Sequence, residues 1–192
     1  MVYEHKVALL GELEKLSEQE TIDLYYSDES KVSLEPCVPY GWQFPDEEVF
    51  MPTQKGEGLN CFALLKRNNE CVIETTTDNI TSQFILEQLE PFSTNLKKRT
   101  VIVLDNARIH TSRIIKERLP VWHQRGLYLF YLPRYSPHLN IVEILWRKLK
   151  YEWLSPNDYQ DKENLFYQIR LALTDLGHNL FIQFSKSKLT LT

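Results

Sequence analysis

Along residues 7–20, Val7, Leu10, Leu13 and Leu16 recur every third position among acids, which predicts a short amphipathic helix. "TIDLYYSDES" (21–30) then reads as an apolar strand that stops in a polar cluster around Asp28. Between Leu34 and Gly58, four prolines and three glycines break any period, so extended pieces and turns are expected. "NCFALLKRNNECVIETTTD" (60–78) predicts a hairpin turning at Asn68-Asn69, with Arg67 opposite Glu70 and with Cys61 and Cys71 out of register. "ITSQFILEQLEPFS" (80–93) is helical in pattern, with Phe84, Ile85, Leu86 and Leu89 on its apolar side and Pro91 at its end. "TVIVLDNA" (100–107) is a continuous apolar run, as expected of a strand buried on both faces in a parallel part of a sheet. Thr111 or Ser112 is placed to cap a helix reaching about Gly126, "LYLFYLP" supplies another buried strand, and a last helix spans about Asp161 to Leu176. Before that helix, "LPRYSPHLNIVEILWRKLK" (132–150) is a rigid turn running into a helix, whose apolar stripe is Val142, Leu145, Trp146, Leu149 and Trp153. Strands alternating with helices in this order predict an α/β domain, a mixed sheet with helices packed on it.

Composition narrows the class. A chain of 192 residues, 43% hydrophobic and 25% charged, suits one globular fold with one sizeable core. No apolar run reaches the roughly 18 residues of a membrane span, and the acid-rich start is neither signal nor transit peptide, so a cytoplasmic protein with no membrane partner is expected. Three cysteines without a C-x-x-C pair predict reduced structural thiols and no thiolate zinc site. A net charge of −4 excludes a polybasic DNA-coating protein, so any nucleic acid must meet a local basic surface.

The acids carry the candidate chemistry. Asp28 and Asp105 each follow an apolar strand, and the carboxyl ends of parallel neighbours share one edge where ligands bind. Alternation sends Glu29 and Asp23 to the other face of the strand, which makes them poor partners for Asp28. Glu143 borders the apolar stripe of its helix, with Arg147 and Lys150 following on its own side. Three carboxylates are the donors one or two magnesium ions want, and an ion pair about 3.5–4 Å apart carries out in-line phosphoryl transfer on nucleic acid. Arg108, Arg113, Arg134, Arg147 and Lys150 lie in or beside the acidic segments and are candidates to neutralise phosphates; the plain alternative is surface pairing, such as Glu143 with Arg147. Lys97, Lys98 and Arg99 read as a solvated loop, and Trp42 and Trp146 as core aromatics rather than base-stacking platforms. His110 reads as a base, a partner of an aspartate, or a buried hydrogen-bonded histidine. A Ser136, His110, Asp105 hydrolase triad lacks the G-x-S-x-G elbow.

"YYSDES", "VLDNARIH" and "LPRYSPHLNIVEILWRKLK" resemble, in order and spacing, the three catalytic blocks of DDE transposases of the mariner superfamily, specifically the bacterial insertion-sequence-630 type. "VPYGW" (38–42) is similar to the segment after the first Asp, 37 residues separate Asp105 from Glu143, and the resemblance covers roughly residues 22–175. It implies a ribonuclease H-like fold over 21–180, with a helical lead-in (1–20) and a tail (181–192). It also implies cleavage at transposon ends and strand transfer into a TA target by a DNA-bound homodimer with magnesium, manganese substituting, as two ions. Asp28, Asp105 and Glu143 match the family's metal-binding triad. Asn106 and His110 match polar positions after the second Asp, and Pro133, Tyr135, Ser136, Pro137 and Asn140 match the loop before the Glu. The chain departs from the pattern at Ile141, commonly Pro, at Val142, commonly Ile, and at His138, commonly an acid. Only 27 residues precede Asp28, so the family's helix-turn-helix modules are expected on a separate upstream piece, through truncation or a second reading frame. The alternatives are an inactive truncated remnant that only binds DNA or another subunit, and a general metal-dependent nuclease.

Overall fold

A spacing of three walks around a helix of 3.6 residues per turn, so positions nine apart stand on roughly opposite sides. The computed structural model, which describes residues 2–35 and 57–185, shows this in helix α1 (Val2–Glu18). Val7 and Leu10 are buried there, while Leu16 is 38% exposed. Glu14, buried in the same helix, accepts hydrogen bonds from the Tyr26 hydroxyl and from Arg67 Nε (2.7 and 2.8 Å) and ties α1 to the sheet. Cys37, Trp42 and the "VPYGW" segment lie outside the described residues.

The first strand does not stop at Asp28. Strand β1 runs from Asp23 to Ser33, and its polar second half is held by antiparallel pairing to β2 (Gly58–Leu65), from Tyr26 opposite Leu65 to Ser33 opposite Gly58. β2 continues into β3 (Cys71–Thr76) through the expected hairpin, one residue out of the expected register. The Lys66 N–H donates to the Glu70 carbonyl, so Lys66 rather than Arg67 faces Glu70, and Asn69 takes the left-handed conformation (φ 69°) that a three-residue turn requires. Cys61 and Cys71 are free, as the register predicts.

Helix α2 (Ser82–Thr94) starts at the Thr81 cap and passes through Pro91, which stands within its last turns instead of ending it. β4 (Thr100–Leu104) is wholly buried and lies parallel to β1, with Tyr26 beside Val103. α3 (Arg113–Gln124) follows Ser112, and β5 (Leu127–Tyr131) lies parallel to β4. β5 is an edge strand of which only Leu127 is fully buried, so it is not the buried strand its composition predicts. A 3₁₀ turn (Pro137–Leu139) leads to α4 (Val142–Lys148), a π-helical turn follows (Leu149–Trp153), and α5 (Lys162–Asp175) is capped by Asp161.

The sheet order is β3-β2-β1-β4-β5. One face carries Leu24, Tyr26, Ala63 and Val103 under the apolar sides of α1, α4 and α5. The other carries Tyr25, Leu64, Ile102 and Leu104 under α2 and α3. The α4 stripe is as predicted: Val142, Leu145, Trp146 and Leu149 are buried, and Trp153 packs at the margin. Lys98 of the basic run is engaged by the start of β1, through the Glu20 carbonyl (3.1 Å) and Asp23 (3.5 Å).

After α5 the chain crosses the hairpin turn, where the Asn69 side chain accepts from the Ile182 N–H (2.7 Å) and donates to the Ile182 carbonyl (3.1 Å). Gly177 (φ 83°) makes this approach possible, because a Cβ there would stand 2.9 Å from the Asn69 carbonyl oxygen. Gly177→Ala is expected to lower stability by about 1–3 kcal/mol through the strained backbone alone, read as an earlier urea midpoint. An unchanged midpoint would show that the crossing contributes nothing.

Candidate active site

The β1/β4 pairing ends with Tyr26 beside Val103, two residues before Asp28 and Asp105, so the two acids follow the paired segments of neighbouring parallel strands at the same level. Asp28 is therefore mid-strand, opposite Ala63 of β2, and reaches the sheet edge only because its parallel neighbour ends at Leu104. Glu143 comes to the same place on the first turn of α4. The three carboxylates line one cavity of about 700 Å³, together with Asn106, Arg108 and Arg134. A second hollow of about 590 Å³ shares Asp28, Asn140 and Glu143 with the first and continues past Trp146, Arg147 and Lys150. The two form one groove with cations at both ends and carboxylates at its middle.

Each acid is held differently. Asp28 accepts a hydrogen bond from Trp146 Nε1 (2.9 Å) through Oδ2. Burial, then the neighbouring charges of Glu143 and Glu29, push its carboxyl up to about 7, against the lowering effect of the Trp146 bond. Glu143 is exposed and makes no ion pair among the described residues, so the alternative pairing with Arg147 is not formed. Asp105 Oδ1 accepts from the Ala107 N–H and from His110 Nδ1, both at 2.8 Å, and the histidine bond holds its carboxyl below the ordinary range.

His110 is only 2% exposed, and its Nε2 meets Glu29 Oε1 at 2.8 Å. Burial would push the imidazole down, but hydrogen bonds to Asp105 and Glu29 hold it up at about 9. It is thus a buried cation between two carboxylates at neutral pH, which leaves it no lone pair with which to act as a base. Alternation makes Glu29 a poor partner for Asp28, yet Glu29 lines the same hollow, its charge helps to raise the Asp28 carboxyl, and it is joined to Asp105 through this histidine. The Tyr131 hydroxyl fixes the His110 carbonyl from β5 (2.9 Å). Ser136 Oγ donates to the Arg134 carbonyl, so no Ser136, His110, Asp105 relay forms.

The remaining predicted residues divide. Asn106 donates to the Leu132 carbonyl, closing the loop after β4 onto the loop after β5. Asn140 is buried; its Nδ2 donates to the Ser27 carbonyl (2.9 Å) and its Oδ1 accepts from the Val142 N–H (3.2 Å), fastening the start of α4 next to Asp28. Lys150 reaches Ser30 Oγ (2.7 Å) on the groove wall. Arg113 is not brought to the groove: it stands at the head of α3, paired with Glu117 at 2.6 Å. Trp146, expected as a core aromatic, is one and also orients an acid. The acid it orients, Asp28, lies 118 positions away in the chain, so no local pattern in the sequence carries that second role.

The donors are all oxygen, as magnesium or manganese prefers, and Glu143, which makes no ion pair among the described residues, suits a divalent ion. As the side chains stand, no three His, Cys, Asp or Glu among the described residues converge closely enough to hold one ion. Asp105 is the acid turned aside, toward His110.

Residues 23–166, most of the chain, match the family described as DDE superfamily endonuclease. No curated protein sequence matches the chain. Among solved structures, the Mos1 mariner paired-end complex with manganese superposes with a TM-score of 0.62 at 14% identity, over 90% of this chain and 54% of that one. The Mos1 strand transfer complex gives 0.52 at 15%, over 92% and 58%. A simian T-cell lymphotropic virus intasome bound to a phosphatase regulatory subunit gives 0.54 at 14%, over 81% and 48%. The chain therefore spans little more than half the length of the Mos1 chains it matches. At these identities the likeness establishes the fold, which is ribonuclease H-like. With the family matched across the sheet, the three acids and most of the covering helices, the chain belongs to the DDE superfamily endonucleases.

Proposed function

We propose that the chain is the catalytic domain of a mariner-superfamily transposase of the bacterial insertion-sequence-630 type, cleaving and joining DNA by metal-dependent phosphoryl transfer. The observation that carries this reading is that Asp28, Asp105 and Glu143, from β1, the end of β4 and α4, line one groove, with Arg108 and Arg134 toward one end and Arg147 and Lys150 toward the other. The catalytic domain would span 21–180, with 1–20 as a helical lead-in and 181–192 as a tail. Its partners would be transposon ends, a TA target, a second copy of the chain and an upstream helix-turn-helix domain; its place would be the bacterial cytoplasm, at the nucleoid when bound.

Asp28, Asp105 and Glu143 would hold magnesium or manganese, as two ions. The metal, when bound, supplies activation of the attacking oxygen and stabilisation of the leaving one. The residues around it do the positioning. Trp146 holds the Oδ2 of Asp28 in place, protonated His110 keeps Asp105 ionised, and Asn140 sets the start of α4 against β1. Arg108, Arg134, Arg147 and Lys150 neutralise the phosphates on either side.

Manganese binding tests the site before any DNA end is known. At a hundred-fold excess over its dissociation constant, the ion stabilises by roughly 2.7 kcal/mol, read as a melting temperature higher by roughly 5–10 °C. The rise is expected at pH 8 and not at pH 5, where the Asp28 carboxyl, held at about 7, keeps its proton and competes with the ion. Glu143→Gln should abolish the rise, and a wild-type melt indifferent to manganese at pH 8 would count against the metal site.

The engagement of Asp105 with His110 favours a second reading, an inactive remnant that only binds DNA or another subunit. Supplying an upstream recognition domain in trans separates the two: excision supports the enzyme, and binding without excision supports the remnant.

A further inference from the structure

The groove carries two exposed tyrosines that the phosphoryl-transfer chemistry does not use. Tyr135 is 97% exposed and has φ +58°, a backbone conformation that bulky residues rarely adopt. It stands on the wall of the first hollow, directly after Arg134. Tyr151 is 53% exposed and lines the second hollow, beside Lys150. It belongs to the π-helical turn closed by the Leu154 N–H on the Leu149 carbonyl (3.1 Å), a local irregularity of the kind often found at functional sites. Trp146 is not available to bases, since it is buried and its indole N–H is taken by Asp28.

We propose that the groove takes one DNA strand with its bases unpaired, and that Tyr135 and Tyr151 are the platforms on which bases on either side of the carboxylates stack. The inference rests on the DNA-cleaving reading above and adds the form of the substrate. Cations following the backbone, with an aromatic ring beside each cationic pair, are the arrangement that binds single strands, because every base presents a face for stacking whatever its identity. A duplex offers the same phosphates to Arg134, Arg147 and Lys150 but keeps its base faces in its own stack. The left-handed backbone at Tyr135 holds a large apolar ring in water, against the ordinary tendency to cover it, and a stacked base is the ligand that would cover it. The substrate is thus DNA that is frayed, nicked or otherwise opened at the cleavage point.

The test is binding of fluorescein-labelled DNA of arbitrary sequence to the full chain in EDTA at low salt, comparing a blunt duplex with a fork that has one single-stranded arm. The fork should bind at least about five-fold more tightly than the duplex, and Tyr135→Ala and Tyr151→Ala should each weaken fork binding by roughly five-fold or more. Tyr135→Phe should retain fork affinity, and duplex affinity should stay the same in all variants. Both side chains are exposed, so the alanine variants should melt with the wild type. Equal affinity of wild type for fork and duplex, or fork binding untouched by both alanine changes, would overturn the stacking role while plasmid cleavage still supported phosphoryl transfer. A wild-type chain that binds neither probe and cleaves no plasmid would overturn this inference and the DNA-cleaving reading together.

Discussion

Glu143→Gln is expected to lower metal-dependent cleavage of supercoiled plasmid by roughly a thousand-fold, the loss that several kcal/mol of metal-borne stabilisation implies. The same change should leave the melt unchanged or slightly raised. Both halves follow from where Glu143 stands. It is exposed, is unpaired among the described residues, and its charge is one cause of the raised Asp28 carboxyl, so neutralising it removes repulsion and no partner. Asp105→Asn should abolish cleavage as well but cannot be neutral for folding, since it takes one of two counter-charges from buried His110. Gel quantitation of nicked and linear plasmid against time, with a parallel thermal melt, checks both. Full cleavage by folded Glu143→Gln would remove that residue from the metal site and with it the assignment.

His110→Ala is expected to have the largest effect on stability, about 3 kcal/mol. That is the low end for a broken buried ion pair, because Asp105 is more than half exposed and water screens it. In a chain of this size the melting temperature should fall by roughly 6–12 °C. The pH dependence distinguishes a charge effect from lost packing. The folded imidazole pKa is raised from 6.5 to about 9, so its contribution is complete below 6.5 and is lost as pH rises through 9. Asp28 is also raised, from 3.8 to about 7, and its neutral form is favoured by folding, so stability falls with rising pH across that lower window too. Wild type should therefore lose stability between pH 7 and 9 while His110→Ala stays level there, and the gap between them should narrow by pH 9. A gap that holds constant across that range would show that His110 serves as packing and not as a cation.

Each place where hydropathy and structure part has a long-range cause. Hydropathy ends the first strand at Asp28, yet β2 pairs with the polar residues up to Ser33, 25 positions from Gly58 in the chain. The hairpin turn shifted by one because Asn69 accepts the left-handed conformation and its side chain binds Ile182, a residue 113 positions away. Composition makes β5 look buried, whereas the sheet order leaves it at an edge. Pro91 is a stop signal that the contacts of α2 with the sheet override.

The sequence by itself determined the order of strands and helices, the α/β class, the apolar stripe of α4, and the acids Asp28, Asp105 and Glu143 in their ordered blocks. These are legible because side-chain periodicity and block spacing are local properties of the chain. Tertiary structure alone decided that Asp28, Asp105 and Glu143 line one cavity, that His110 stands between Asp105 and Glu29, and that Trp146 orients Asp28. It also decided that Arg113 lies outside the groove and that Tyr135 and Tyr151 line it. Those facts depend on strand register and loop closure between segments that are tens of residues apart, and no local pattern of hydrophobic and polar positions encodes either.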